Sequence, residues 1–293
     1  MKIRFIVNPA AGGANRVREV EEAVRRVFGE EDGIFEVRST KARGMAGELA
    51  LDAVRKGYEF VFACGGDGTI NETATPLVGT NTVLGIVPAG SGNGFARALE
   101  IPSGMDSALR LVKTGRARAM DVGVICGRYF FSTAGCGFDA HLSKSYNSGG
   151  LSSLMRGMLP YYPLALWEYL WYRPSPVTVN IENYRSTVTP FLLTAANTSR
   201  YGGGAVIAPD AIPDDGKIDL CIVPKTGFFS AVSLASKLLS GRVGEWRGFE
   251  SIRAERVEIQ RGAGTVHADG EPFDWNGDIQ ISVMRRKLRV LAG

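Results

Sequence analysis

The chain has 293 residues, 45% of them hydrophobic and 22% charged, with 37 glycines and a formal net charge of +4. The length fits two domains and the composition an ordinary soluble protein; the glycines cluster in turns without a period, which excludes collagen-like and low-complexity chains. The small positive balance suits a membrane surface or polyanionic ligand weakly and makes no case for nucleic acid, and four cysteines without a Cys-x-x-Cys pair argue against zinc.

Met1-Lys2-Ile3-Arg4-Phe5 enters a strand directly, so no signal peptide is expected. No run of about 18 uncharged apolar residues follows, so no bilayer span is expected and the location reads as cytoplasmic. Residues 3–7 alternate as a strand that stops at Asn8-Pro9. A small-residue loop over 10–15 leads to a helix pattern from Arg16 to Phe28. A strand at 34–37 leads through Ser39-Thr40 to a second helix over 44–56. The apolar run Phe60-Val61-Phe62-Ala63-Cys64 is a buried strand, and three glycines in four residues follow it, at Gly65, Gly66 and Gly68. Thr69 and Glu72 have capping-box spacing, which opens a third helix there. Strand, glycine turn and helix start together favour phosphate, through backbone N–H groups and the helix dipole. Asp67 in that turn would repel bare phosphate and makes sense beside Mg²⁺ or a ligand hydroxyl. The alternative is a plain αβ turn with a surface acid.

A fourth strand over 82–87 ends in another glycine turn, Gly90-Ser91-Gly92-Asn93-Gly94. Alternating strands and helices predict a parallel sheet, whose ligands bind at the carboxyl ends of the strands. The loops at Gly12–Gly13, Gly65–Gly68 and Gly90–Gly94 all follow strands and so gather at that edge. Near Asp121 the pattern changes to strands: two around a Cys126-Gly127-Arg128 turn, then 177–181, 187–195, 218–223, 256–259, 265–268 and 279–283. Helical insertions are expected at 151–172 and 228–239. The reading is an N-terminal α/β domain over 1–121 and a mostly antiparallel, sandwich-like β domain over 122–283, with 284–293 a candidate to return to the first.

Several motifs are ambiguous alone. No Walker-type Gly-x-x-x-x-Gly-Lys is present, and no Gly-x-Ser-x-Gly elbow. Gly135-Cys136-Gly137-Phe138-Asp139-Ala140 reads as a packing turn with Asp139 capping a short helix, and His267 as a hydrogen-bonded structural histidine. The turn His267-Ala268-Asp269-Gly270-Glu271-Pro272 either holds a general base at the mouth of a cleft or is a hairpin turn that favours Asp-Gly. Asp214-Asp215-Gly216-Lys217 either binds a hard cation or is a solvated turn. The aromatic stretch 151–172 either packs on the β domain or touches lipid through Trp167, Trp171, Tyr161 and Tyr162.

Taken together these motifs resemble the diacylglycerol kinase catalytic family, which includes bacterial lipid kinases and the sphingosine and ceramide kinases. The matching residues are Asn8-Pro9 with Gly12-Gly13, Thr40, Gly65 to Glu72, Gly85-Ile86-Val87-Pro88-Ala89-Gly90-Ser91-Gly92-Asn93, Phe95-Ala96-Arg97, Gly137 to Ala140, Asp214-Asp215-Gly216 and Asp269-Gly270-Glu271. They run in order over nearly the whole chain. The resemblance implies ATP bound in a cleft between an α/β domain and a β-rich lipid-side domain. It implies nucleotide contacts from Asn8, Pro9, Gly12, Thr40, Gly65, Gly66, Asp67, Gly68, Thr69, Asn71, Glu72, Ser91, Asn93 and Arg97. It makes Glu271 the base, assigns Mg²⁺ to Asp67 and Asp121, and matches a second Mg²⁺ site to Asp215 with the carbonyls of Ile212 and Lys217. Gly94 stands where many bacterial diacylglycerol-type kinases have Asp, which looks more like the sphingosine-kinase branch and leaves the lipid open. The implied partner is a lipid at the membrane surface, with peripheral contact through 151–172; the oligomeric state stays open, a homodimer included. The alternatives are a soluble-substrate kinase such as an NAD kinase, disfavoured by the aromatic segment and the Asp-Gly-Glu turn, and a non-catalytic nucleotide- or lipid-binding module, which would have no need of a base.

Overall fold

The computed structural model describes residues 1–13, 15–29, 33–90, 92–148, 161–182 and 184–293, with 161 and 162 described for their backbone only. Its contacts separate two compact units, Met1–Met120 with Arg285–Gly293, and Asp121–Met284.

In the first unit the strands are β1 (Lys2–Val7), β2 (Ile34–Ser39), β3 (Phe60–Gly65) and β4 (Val83–Pro88). The helices are α1 (Arg16–Phe28), α2 (Met45–Arg55), α3 (Asp67–Ala74), α4 (Gly94–Ala98) and α5 (Met105–Thr114). All strand pairs among β2-β1-β3-β4 are parallel, as expected for strands that alternate with helices. The returning chain adds one more parallel neighbour, with Val290 opposite Leu84. β1, β3 and β4 are buried almost throughout, which is why they read as continuous apolar runs. The exception on β1 is Arg4, which is 1% exposed. Its guanidinium donates to Glu36 Oε2 at 2.7 Å and Asp52 Oδ2 at 2.8 Å and lies 4.5 Å from the centre of the Tyr58 ring.

The capping box is not what opens α3. The helix starts three residues earlier than that motif requires, at Asp67, with Gly66 as its cap residue and no side-chain cap. Thr69 instead accepts from Asn8 Nδ2 at 3.1 Å, and Glu72 reaches the start of α2, where it accepts the Gly44 N–H at 2.9 Å and the Ala46 N–H at 3.3 Å. Glu72 thus satisfies orphan donors of a neighbouring helix, a use that local spacing does not reveal.

The second unit is a β-sandwich with helices on one outer face. β5 (Arg116–Ile125) and β6 (Arg128–Phe130) form the expected hairpin around Cys126 and Gly127, both at positive φ. Then come β7 (Thr133–Gly135), α6 (Phe138–Ser148), α7 (Tyr161–Trp171), β8 (Val177–Ile181), β9 (Tyr184–Val188), β10 (Pro190–Ala196), β11 (Ile218–Pro224), α8 (Phe228–Ser240), β12 (Glu250–Ala254), β13 (Arg256–Gln260), β14 (Gly264–Ala268), β15 (Glu271–Trp275) and β16 (Ile279–Ala292). One antiparallel sheet runs β12-β11-β10-β7-β14-β15; the opposing layer contains β13, β8 and β9.

The strand expected over 187–195 is two strands. β9 pairs with β8 in one layer and β10 with β11 in the other, because the chain crosses the sandwich at Thr189-Pro190. The segments 279–283 and 287–291 are, conversely, one long strand. β12 and β15 were not anticipated: both are short, largely exposed strands with little apolar alternation. Residues 151–160 of the expected aromatic insertion lie outside the described residues.

Arg4 gives a direct test of the first unit. Replacing it with Met removes the cation that balances two carboxylates at a buried position, and we expect a loss of roughly 2–3 kcal/mol in stability, discounted from a fully buried pair because Glu36 and Asp52 are partly solvated and keep other basic partners. The measurement is faster native-state hydrogen exchange of the β1 and β2 amides, with the second unit unaffected.

Candidate functional site

The parallel register brings three loops to one edge of the first unit. Val7 lies opposite Cys64, Cys64 opposite Val87 and Gly65 opposite Pro88, so the segments after β1, β3 and β4 emerge side by side. The Asn8 N–H donates to Cys64 O and the Ala89 N–H to Gly65 O, locking the exits together. Two of the loops touch by backbone: a Cβ on Gly90 would sit 2.6 Å from Gly66 Cα. A side chain at either position would wedge them apart, and that explains the glycines better than flexibility does. Gly12 and Gly13 are required for another reason, with φ of +91° and +115°.

Asp67, half-buried, accepts the Gly94 and Phe95 N–H groups, both at 3.3 Å, and so ties the third loop to the start of α3. Asn93 adopts φ +54° and closes its own loop by accepting the Gly90 N–H at 2.9 Å. Thr40 follows β2 directly, with its N–H on Val7 O. Gly12, Gly65, Gly66, Asp67, Thr69, Asn71 and Asn93 thus belong to one edge with Asn8 and Pro9. Gly68 and Arg97 are exposed on it, Glu72 is turned to α2, and Ser91 lies outside the described residues.

In the second unit, Asp121 meets the Asp214–Lys217 turn. Its Oδ2 accepts the Gly216 N–H at 2.5 Å, and its N–H donates to Pro213 O. Asp215 accepts the Lys217 N–H at 2.9 Å and pairs with Arg253. Among the described residues no three His, Cys, Asp or Glu side chains cluster as a metal site.

The outer face of the β12-to-β15 sheet carries what the sequence did not disclose. α6, α7 and α8 cover this face and leave a cavity of about 480 Å³ walled by Phe138, Leu142, Tyr169, Phe191, Leu234, Leu238 and other apolar side chains. One part of the wall is polar: Asp139, His267, Asp269 and Gly270. The walls come from segments about a hundred residues apart, so no local motif could show them; the available signal was the run Pro190–Ala196, apolar on both faces.

Asp139 does not cap α6. It lies inside the first turn, where Oδ1 accepts the Gly137 and Ala140 N–H groups at 3.0 and 2.9 Å. Oδ2 accepts from Thr194 Oγ1 at 2.7 Å and His267 Nε2 at 3.1 Å. Gly135 is the packing glycine that permits this: a Cβ there would lie 2.5 Å from Asp139 Oδ2. Burial alone would push the Asp139 carboxyl up, but the His267 ring, the Thr194 hydroxyl and the Ala140 amide outweigh it and hold its pKa below the ordinary value.

Asp269-Gly270 is a two-residue hairpin turn, at φ +49° and +82°, between β14 and β15. The Asp269 carboxylate accepts N–H groups from Phe131 at 2.8 Å, Ser132 at 2.8 Å and Thr133 at 3.1 Å. Glu271 is the next residue, half-buried at the start of β15. The hairpin reading of this turn therefore holds, and the same rigidity suits a positioned carboxylate.

Comparison with known proteins adds two matches to domain families. Residues 2–125 match the diacylglycerol kinase catalytic domain, and residues 132–292 the YegS C-terminal NAD kinase beta sandwich-like domain. A probable YegS-like lipid kinase of Chromohalobacter salexigens is 36% identical over 72% of this chain and 68% of its own. A diacylglycerol kinase of Mycobacterium tuberculosis is 28% identical over 99% of this chain and 94% of its own. The crystal structure of a diacylglycerol kinase from Bacillus anthracis superposes with a TM-score of 0.74, covering 100% of this chain and 97% of that one; at 18% identity the likeness speaks for the fold alone.

The Asp139 network predicts a pH dependence confined to the second unit, which holds all four tryptophans. A carboxyl with a depressed folded-state pKa stabilises above its unfolded value of about 3.9, and that contribution disappears as pH falls through the folded value. In urea midpoints followed by tryptophan fluorescence, the Asp139 contribution should be present at neutral pH and lost below about pH 4. Asp139→Asn should start lower at neutral pH and converge with the wild type in acid.

Proposed function

The chain belongs to the diacylglycerol kinase family of lipid kinases, and from that membership we propose that it transfers the γ-phosphate of ATP to a hydroxyl of a membrane lipid, with Glu271 as general base. The observation that carries the lipid reading is the apolar cavity under α6, α7 and α8, whose polar wall includes Asp269 and Gly270, the two residues before Glu271. Its size is that of a small-molecule pocket, and its walls suit hydrocarbon. A soluble acceptor such as a dinucleotide would bury polar groups there without partners.

The nucleotide is assigned to the glycine edge of the first unit: Asn8, Pro9, Gly12, Thr40, Gly65 to Asn71 and Asn93, with Ser91 and the exposed Arg97. Loop amides and the start of α3 supply donors for phosphate in place of a P-loop lysine. Mg²⁺, when bound, would neutralise charge on the phosphate oxygens. Asp67 and Asp121 each offer the hard carboxylate oxygens that this cation takes. The turn of Asp215 with the Ile212 and Lys217 carbonyls fits a second cation less well, since Arg253 already balances its carboxylate.

Phosphoryl transfer asks the protein chiefly to position and to balance charge. The lipid hydroxyl gives its proton to the Glu271 carboxylate as its oxygen bonds to the γ-phosphorus, and the bond from that phosphorus to the bridging oxygen breaks to release ADP. The rigid Asp269-Gly270 turn limits the positions that Glu271 can sample, which is what a base needs.

Peripheral membrane contact has its own support. α7 exposes Leu166, Trp167, Leu170 and Trp171, and α8 exposes Phe228, Phe229 and Val232. Leu166, Phe228 and Val232 also line the cavity, so an apolar surface suited to headgroup depth continues into the pocket. Among the described residues no helix is long and apolar enough to cross a membrane.

The test is transfer of ³²P from labelled ATP to a lipid panel of diacylglycerol, sphingosine, ceramide, phosphatidylglycerol and monoacylglycerol. Product on at least one lipid is expected, and activity on NAD with none on lipid would overturn the reading. Glu271→Gln should lower turnover by about 10²-fold or more, and Asp67→Ala should abolish it with the fold intact. Ala235→Trp, which fills the cavity, should raise KM for long-chain lipid by roughly tenfold while leaving KM for ATP in place; an unchanged lipid KM would separate the cavity from the substrate.

A further inference from the structure

The buried histidine beside the base is not used by the mechanism above, and its contacts point to a role. His267 is 2% exposed, three residues before Gly270. Its Nδ1 lies 3.3 Å from the Gly270 nitrogen, an N–H that can only donate, so Nδ1 must carry the lone pair. The ring proton is then on Nε2, which faces Asp139 Oδ2 at 3.1 Å. Both partners agree on one tautomer, and it is neutral. Protonation would set an Nδ1–H against the Gly270 N–H.

Asp139 is a rigid anchor for that ring. Two backbone amides fix one of its oxygens and the Thr194 hydroxyl the other. The histidine thus connects the first turn of α6 to the middle of the Asp269-Gly270 turn. Asp269 is held independently by the amides of Phe131, Ser132 and Thr133. Gly270, at φ +82°, is the last link before Glu271, and His267 is its side-chain partner.

We propose that His267 is a positioning residue for Glu271: anchored on Asp139 through Nε2–H, it accepts the Gly270 N–H at Nδ1 and so fixes the direction in which the chain delivers the base. The inference rests on Glu271 being the base. It assigns His267 no contact with the reacting atoms. A shift of about 1 Å in a base is enough to cost up to two orders of magnitude in rate, so one hydrogen bond at this link matters more for turnover than for fold.

Two polar replacements separate the two ring nitrogens. In His267→Asn the carboxamide oxygen stands near Nδ1 and can accept the Gly270 N–H, while the link to Asp139 is lost. In His267→Gln the carboxamide nitrogen stands near Nε2 and can donate to Asp139, while Gly270 loses its acceptor. Positioning predicts that Gln lowers kcat by roughly tenfold or more and Asn by about threefold or less, with KM for ATP unchanged in both. A merely structural role through the buried Asp139 predicts the reverse order, and kcat of Gln equal to or above that of Asn overturns the proposal. Thermal unfolding of both variants separates loss of fold from loss of turnover. Glu271→Gln is measured alongside: normal turnover there removes the base assignment and this inference with it, whereas an inactive Glu271→Gln with Gln at or above Asn at position 267 removes the inference alone.

Discussion

Much of the second unit follows from one strand buried on both faces. β10 is enclosed along its whole length, Pro190–Ala196. Leu193 and Ala195 point into the sandwich core with Val179, Ile259 and Ile281, while Leu192 and Ala196 point into the helical layer with Phe138, Leu142 and Leu234. Burying both faces of a strand requires a second sheet on one side and helices on the other. Helices set against a flat sheet leave a gap wherever their side chains do not interdigitate with it, and here that gap is the cavity. The same strand carries Thr194, whose hydroxyl fixes Asp139, and pairs with β7, which pairs with β14. Sandwich, pocket and anchored turn therefore share one structural cause.

The first unit meets a different constraint. Phosphate needs donors, and a backbone supplies them only where it can approach closely. The contact of Gly66 with Gly90 brings two strand exits within a van der Waals distance that no other residue type allows. Asp67 then joins the loops across their ends, because its carboxylate accepts from the first amides of α4. A site built this way has no need of a P-loop lysine, since amide dipoles need no side-chain ordering to point at the ligand.

Legibility in the sequence followed locality. Up to β4 the βα alternation of the first unit was readable to within about three residues, because each strand is a short apolar run; α4 and α5, which follow β4, were not anticipated. The glycine edge was readable too, since parallel strands must present their exits on one side. What escaped were relations across the chain. Glu72 has the spacing to cap its own helix, yet its carboxylate serves α2, because the adjacent helix start offers unsatisfied N–H groups and α3 begins too early to use it. Asp139 has the position of a local cap but is committed to His267, 128 residues away. The crossing at Thr189-Pro190 was hidden in an otherwise continuous strand pattern, although proline at a strand start was a cue to a break. The cavity could not be read at all, since its walls assemble only after the sheet and three helices have formed.

Four aspartates of this chain share a habit that bears on the chemistry. Asp67 accepts the backbone N–H groups of Gly94 and Phe95, Asp121 that of Gly216, Asp139 those of Gly137 and Ala140 besides its side-chain donors Thr194 and His267, and Asp269 those of Phe131, Ser132 and Thr133. A carboxylate with two or three amides on it, as at Asp67, Asp139 and Asp269, is a rigid object, because charge-assisted bonds to the main chain leave it little rotational freedom. It fixes the loop that it accepts from as firmly as the loop that carries it. Chemistry can then be assigned to the residue beside the anchor: Glu271 follows the pinned Asp269-Gly270 pair, and the glycine edge surrounds the pinned Asp67. Rigidity and reactivity are divided between neighbours, so the turn that positions the base does not depend on the protonation state of the base itself.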